Sequence, residues 1–262
     1  MRNDFLAGAR GPLLADLAAG RLLVAFDYDG VLAPLVTAPD GRAMRPATRR
    51  LLRDVARRYP VAVVSGRAFR DLARLVPGRG IIRVGNHGFE LGRAIAVPRR
   101  VLSQVAEWEA EVTRRLEGVP GWHVEHKRST LSIHYGMGKD WRRVERAVRA
   151  VGRFLPGARL LPGKKVLNVI PASFPTKGDA VRRLLSRLRL DVALFLGDDL
   201  TDEDVFRVGE PMVVGVRVGV GASLAPWRLR AQEDVDELLE RLRVLRPLKR
   251  APRTRAPRRR AP

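Results

Sequence analysis

Short runs of almost wholly apolar residues recur along the chain, and between them apolar positions return every three or four residues. Leu22–Phe26 and Val61–Val64 carry no charge, and 81–84, 193–196 and 212–216 come close to the same pattern. Such runs suit strands covered on both faces of a parallel sheet. The stretches 47–58, 70–75 and 179–187 have helical spacing. Strands alternating with helices predict an α/β fold on a doubly wound parallel sheet.

The middle of the chain has a different rhythm. Residues 99–116 read as a helix, with Pro98 suited to its first turn. The stretches 122–125 and 131–135 look like neighbouring strands. Asp140 is expected to cap the next helix, where Trp141, Val144, Val148 and Val151 return at helical spacing. Two more strands follow at 159–161 and 166–170. This twice-repeated helix–strand–strand unit predicts a small α+β domain, 98–172, inserted between the third and fourth strands of the main sheet. The core would then comprise 1–97 and 173–245, with 246–262 as a basic tail.

Composition narrows the class. The 262-residue chain is 45% hydrophobic, enough for a sizeable core. No apolar run nears the ~20 residues that span a bilayer. Residues 1–20 mix Asp4, Arg10 and Asp16 with short apolar pieces, unlike a signal peptide. A cytoplasmic protein without membrane association is therefore expected. The absence of cysteine excludes disulfides, thiolate metal sites and cysteine nucleophiles.

The formal net charge of +22 raises nucleic acid as a partner. The arginines, however, are spread through every predicted helix, which reads as a compositional bias on solvated faces. The segment RPLKRAPRTRAPRRRAP, 246–262, is low-complexity and expected to be disordered. Weak polyanion binding through that tail is the one nucleic-acid contact the sequence suggests. Aromatic residues are few and no exposed apolar stripe stands out, so no stable protein partner is expected.

Polar clusters fall where the predicted strands end. The first strand runs into Asp27 and Asp29, one residue apart and followed by Gly30. The second ends at Ser65, Gly66 and Arg67, and the 193–196 strand at Asp198, Asp199, Asp202, Glu203 and Asp204. Lys177 stands at the mouth of a helix. In an open parallel sheet, ligands bind beyond the carboxyl ends of the strands. Acids gathered there repel one another unless a cation holds them, and an all-oxygen donor set suits Mg²⁺. Lys177, the Ser65 hydroxyl and backbone N–H groups near Gly30 and Gly66 would then admit a phosphate.

A carboxylate can attack phosphorus and form an aspartyl-phosphate. Asp27, first off its strand, is the expected nucleophile. Asp29 would protonate the leaving oxygen and later deprotonate the attacking water. Singly, each feature has a plainer reading: a strand-end aspartate as a turn residue, Lys177 as a solvated lysine, Thr201 with Asp204 as a helix cap. Only the joint pattern points to chemistry.

In order and spacing, DYDGVLAPL, VVSGR, PTKGDAV and GDDLTDEDVF resemble the four motifs of the haloacid dehalogenase (HAD) superfamily of phosphatases, over about 22–206. The resemblance implies a HAD-type, Rossmann-like parallel-sheet core with 98–172 as an inserted α+β cap. It implies Asp27 as nucleophile, Asp29 as acid/base, and Ser65 and Lys177 as phosphate ligands, with Gly66 and Arg67 beside the substrate. Mg²⁺ would be bound by Asp27, Asp198 and the backbone carbonyl of Asp29, with Asp202 or Asp199 acting through water.

Three further stretches resemble the trehalose-6-phosphate phosphatase branch: VGNHGFE with Asn86, His87 and Glu90, VEHKRSTLSIHY with Glu125, Lys127 and His134, and LPGKKVLNVIP with Asn168. The branch implies Asn86, His87, Glu90, Glu125, Lys127 and Asn168 as substrate-binding residues, with the acid and lysine side chains of the cap on sugar hydroxyls, and a small sugar phosphate as substrate, trehalose 6-phosphate or another ester. Two positions depart from its pattern, and a third more mildly. Asn168 stands where the family carries Glu, and Gly136 where it carries Arg; Val31 replaces a frequent Thr.

The histidines have plainer readings as well. His123, His126 and His134 lie in predicted strands and read as hydrogen-bonded or partly exposed, with His123 and His126 on opposite faces. Glu125 and Lys127 share a face and would equally make a surface ion pair. Trp108, Trp141 and Trp227 read as core, and Trp122 as the candidate sugar platform.

Overall fold

The computed structural model describes residues 4–7, 11–34, 43–93, 95–136, 140–163 and 165–248. From residue 249 on, the basic tail lies outside them. Helix α1 (Gly11–Ala19) leads to β1 (Leu22–Phe26), α2 (Pro46–Ala56), β2 (Val61–Val64), α3 (Phe69–Leu75), β3 (Ile81–Gly85) and the short β4 (Glu90–Leu91). The chain then leaves the main sheet for α4 (Arg99–Arg115), β5 (His123–His126), β6 (Leu131–His134), α5 (Trp141–Val151), β7 (Ala158–Gly163) and β8 (Val166–Pro171). It returns with α6 (Lys177–Leu188), β9 (Val192–Gly197), α7 (Glu203–Phe206), β10 (Val213–Val218), β11 (Trp227–Leu229) and α8 (Asp234–Leu245).

Seven strands form the main sheet in the order β11-β10-β9-β1-β2-β3-β4, parallel throughout except for β4. Strand β1 lies between β2 and β9 and is buried at every residue. Alternation sends Leu22, Val24 and Phe26 into a layer with α1, α2 and α8, and Leu23 and Ala25 into a layer with α6 and α7. Burial on both faces is why these strands show no polar alternation. The order steps outward from β1 to β4 and resumes at β9 on the other side of β1, so the switch point opens a crevice just beyond Phe26.

The inserted strands form a second, antiparallel sheet, β5-β6-β8-β7. Here one face only is buried. Val124, Leu131, Ile133, Leu167 and Val169 pack against Val105, Trp108, Val112, Val144 and Val148 of α4 and α5. The other face carries His123, Glu125, Ser132, His134 and Asn168, as an open antiparallel sheet allows.

Four elements lie outside the sequence expectation. Strands β4 and β11 are two and three residues long, too short for any periodicity. Helix α8 does carry the signal, with Val235, Leu238, Leu239 and Leu242 buried at helical spacing, and α1 is the fourth. The insertion leaves after β4 instead of directly after the third strand, because β4 pairs back antiparallel on the edge of β3. Asp140 precedes α5 but makes no side-chain cap, its φ of −94° and ψ of 27° departing from the extended geometry of a capping aspartate. Among the described residues, no helix is long and apolar enough to cross a membrane.

Candidate active site

Strand β1 delivers Asp27 to the crevice. Its N–H donates to Leu196 O of β9 at 2.8 Å, and the chain then turns tightly, with Leu32 and Ala33 N–H both donating to Tyr28 O. Gly30 has φ +80°, and a Cβ there would lie 2.1 Å from the Asp198 carboxylate. Glycine is needed at this position for both conformation and space.

Helix α6 supplies the cation. Thr176 Oγ1 accepts from Asp179 N (3.0 Å) and Asp179 Oδ2 from Thr176 N (2.9 Å), a capping box that fixes the first turn. Lys177 follows at once. Its buried Nζ donates to Asp202 Oδ1 at 2.8 Å and lies 3.2 Å from Asp27 Oδ1. At the end of β9, Asp202 Oδ2 accepts from Asp198 N (2.9 Å) and Asp199 N (3.1 Å). The capping box of this turn is therefore Asp199 with Asp202, not Thr201 with Asp204. The chain turns as a 3-10 helix, Leu200–Asp202, immediately off the strand.

Oxygens of Asp27, Asp198 and Asp202 come within 4.8 Å of one another. Burial pushes the Asp27 carboxyl well above its ordinary range; Lys177 opposes this, while Asp202, Asp198 and Asp29 add to it. Asp198 is pushed up to about 7 by burial and then by Asp202 and Asp199. Burial alone would lower Lys177, but Asp202 and Asp27 outweigh it and raise its pKa. Asp27 Oδ1 and Asp198 Oδ1 are buried without hydrogen-bond partners, Lys177 being near the former as a charge but outside bonding geometry. Two inward oxygens short of positive charge are what a hard divalent cation relieves, so the donor set fits Mg²⁺. Asp202 already accepts three bonds and Asp199 Oδ1 one from Leu200 N (2.7 Å), which leaves Asp27 and Asp198 the freest ligands.

Ser65 ends β2, buried, with its Oγ accepting from Arg67 N at 3.2 Å. The face of Gly66 is filled by the His87 imidazole, which a Cβ would approach to 2.5 Å. Asn86 and His87 both adopt left-handed backbone, φ 46° and 57°. The loop that holds them is braced by Glu90, whose Oε2 accepts from Asn86 Nδ2 (2.8 Å) and Phe69 N (2.7 Å). His87 thus reaches the crevice wall, whereas Asn86 and Glu90 form the frame behind it. Burial, then Lys177, Lys127 and Arg159, hold the His87 imidazole well below its ordinary pKa. Arg67 lies on Asp29, making two 2.8 Å bonds to the two carboxylate oxygens.

The polar face of the second sheet closes a crevice of about 710 Å³ over these groups. Strand register aligns Glu125, Ser132 and Asn168 in one cross-strand row and His123 with His134 in the next. His134 Nε2 lies 3.0 Å and Lys127 Nζ 3.5 Å from Glu125 Oε2. The His134 hydrogen bond and Lys127, against some desolvation, bring the Glu125 carboxyl down to about 2. The His123 and His134 rings stack with centroids 4.6 Å apart. Ser132 Oγ donates to Asn168 Oδ1 (2.7 Å) and Asn168 Nδ2 to Leu161 O (3.3 Å), so one amide N–H is left to face a ligand.

Gly136 is packed against the stem of Lys165, whose Cδ lies 2.7 Å from where a Cβ would stand. A long cation is thus present next to the position where the expected arginine is missing. Trp122 does not line the crevice: its indole N–H donates to Leu116 O (3.2 Å) and it packs on the apolar layer, so it is no sugar platform here. His126 faces Glu109 at 3.8 Å, away from His123, and Trp108 is core.

His123, Ser132, Lys165, Asp71 and Thr201 also line the crevice and were outside the expected site; His134, which the resemblance named without a role, lines it too. His123 could have been read from its i−2 relation to Glu125. Ser132 and His134 needed the strand pairing.

A family model described as trehalose-phosphatase matches residues 25–230. The chain is 32% identical over 260 residues to a trehalose 6-phosphate phosphatase of Zea mays, covering 88% of this chain and 72% of that protein. It is 34% identical to the probable trehalose-phosphate phosphatase 9 of Oryza sativa subsp. japonica, covering 87% and 72%. Among solved structures, the trehalose-6-phosphate phosphatase C-terminal domain of C. albicans superposes with a TM-score of 0.78 at 23% identity, covering 94% of this chain and 99% of that one. At that identity the likeness is one of fold.

Proposed function

From the premise that the chain belongs to the trehalose-phosphatase family, we propose that it hydrolyses trehalose 6-phosphate to trehalose and phosphate. The observation that carries the mechanism is the buried Asp27 Oδ1, without a hydrogen-bond partner and ion-paired to Lys177, at the carboxyl end of the central strand. Asp27 attacks phosphorus in line, and the bond to the sugar oxygen breaks as Asp29 gives that oxygen a proton. Asp29 then takes a proton from water, which attacks phosphorus and frees Asp27. As Asp27 becomes an acyl phosphate its carboxylate charge leaves, and Lys177 is released from it toward the phosphate oxygens, with Ser65 as a further donor.

Mg²⁺, held by Asp27 and Asp198 with the Asp29 carbonyl, would supply positive charge to the phosphate during transfer. Residues 98–172 act as a cap whose Glu125, Lys127 and Asn168 bind sugar hydroxyls and exclude water. A second reading keeps this chemistry but takes another sugar phosphate, and Asn168 and Gly136 favour it as departures from the family pattern. Phosphate release from a panel of sugar phosphates, with Mg²⁺ and with chelator, separates the two. Metal-dependent preference for trehalose 6-phosphate supports the first, preference for another ester the second, and release indifferent to chelator removes the metal from both.

A further inference from the structure

Arg67 was expected beside the substrate, yet its guanidinium is committed to another side chain. Nε donates to Asp29 Oδ2 and an Nη to Asp29 Oδ1, each at 2.8 Å, the two-pronged geometry that fixes a carboxylate in plane and direction. The pair is only partly exposed, 20% for Arg67 and 27% for Asp29. The guanidinium also lies 5.6 Å from the centroid of the buried Tyr28 ring. Its backbone is anchored at both ends, N–H to Ser65 Oγ (3.2 Å) and O from Asn86 N (2.8 Å). The arginine therefore has a fixed base, a wall behind it and both prongs on one carboxylate.

We propose that Arg67 is a positioning residue for Asp29. It holds the carboxyl group in the orientation from which a proton can be passed to the leaving oxygen. Both Asp29 oxygens are taken in this state, so one of the two bonds opens as the ester enters, and the other keeps the group aimed. After the proton moves from Asp29 to the departing oxygen, with the phosphorus–oxygen electron pair going to that oxygen, the retained bond stabilises the carboxylate left behind. The inference rests on the reading of Asp29 as the acid/base.

The test uses aryl phosphates of graded leaving-group acidity, which carry no sugar, with the full-length protein and Mg²⁺. An acid matters most where the leaving group is poor. In Arg67→Met and Arg67→Lys, kcat/KM should fall ~30-fold for phenyl phosphate but only ~3-fold for p-nitrophenyl phosphate, steepening the dependence on leaving-group pKa. A parallel loss across the series, or none, would overturn the proposal, since a purely structural or sugar-binding arginine leaves the slope alone. Asp29→Asn gives the reference slope, and adding Arg67→Met to it should cost nothing more. A full additional loss in the double variant also overturns it. Wild-type protein that releases no phosphate from sugar or aryl esters removes the phosphatase reading itself, and the role of Arg67 with it.

Discussion

On the core wall of the crevice, Asp27, Lys177 and Asp202 are 5%, 2% and 0% exposed, and Lys177 bridges the two acids. On the cap wall, the Glu125 side chain is 50% exposed and its partners are a histidine at 3.0 Å and a lysine at 3.5 Å. The difference follows from the two sheets. A parallel sheet buried on both faces offers side chains to ligand only at its strand ends, where buried charges such as Asp27, Lys177 and Asp202 are desolvated and must be matched. An antiparallel sheet with one open face offers whole rows of side chains, from the half-exposed Glu125 to the buried Ser132 and Asn168. On the function proposed above, chemistry falls to the core wall and selection of the sugar to the cap wall.

The sharpest break of this contrast comes from the core. Asp27→Asn should lower turnover by ~10³-fold or more, the scale of removing an active-site nucleophile, while thermal melting stays cooperative. Turnover near the wild-type level would remove Asp27 as nucleophile. Next comes the metal. Chelation should abolish turnover, and Mg²⁺ at ~100 times its Kd should stabilise the fold by ~2.7 kcal/mol, read as a rise in Tm. No rise would mean that the raised acids Asp27 and Asp198 are satisfied by protonation instead.

On the cap wall the effects should be smaller and should fall on selection. Asn168→Glu restores an acceptor where one amide N–H now faces the ligand, and should shift the ratio of kcat/KM between trehalose 6-phosphate and other sugar phosphates by ~10-fold, or about 1.4 kcal/mol. Lys165→Ala should raise KM for the preferred sugar phosphate several-fold with kcat little changed. Equal losses in kcat would move Lys165 from binding to chemistry.

The smallest effect concerns His87, which straddles the contrast by lining the crevice from a buried loop. Its folded pKa is depressed below the ordinary 6.5, so at lower pH the unfolded chain takes up the proton. Its contribution to stability is full above about 6.5 and declines as pH falls below it. The raised Asp27 and Asp198 work in the opposite sense, gaining stability on acidification, Asp198 from about 7. Comparing Tm with His87→Gln between pH 7.5 and 5.5 isolates the histidine. An unchanged difference between the two proteins across that range would mean that His87 carries no such linkage.

The buried strands, the inserted helix–strand–strand unit and the residues at each strand end were legible in the chain. Continuous apolar runs, a change of period and carboxylates after a strand are local patterns, and local patterns follow from side-chain alternation alone. Which partner each polar group takes was not legible. Arg67 finds Asp29 across 38 positions and Lys177 finds Asp202 across 25. Ser132 and His134 reach the crevice only because β6 pairs with β5 and β8 in one register, and Lys165 meets Gly136 only because its carbonyl accepts from Tyr135 N. The order of residues along the chain sets which groups stand at the strand ends and so what chemistry is available. The tertiary structure decided which of them are bonded to each other and which are left for a ligand, because hydrogen bonds and burial depend on distances between residues far apart in the chain.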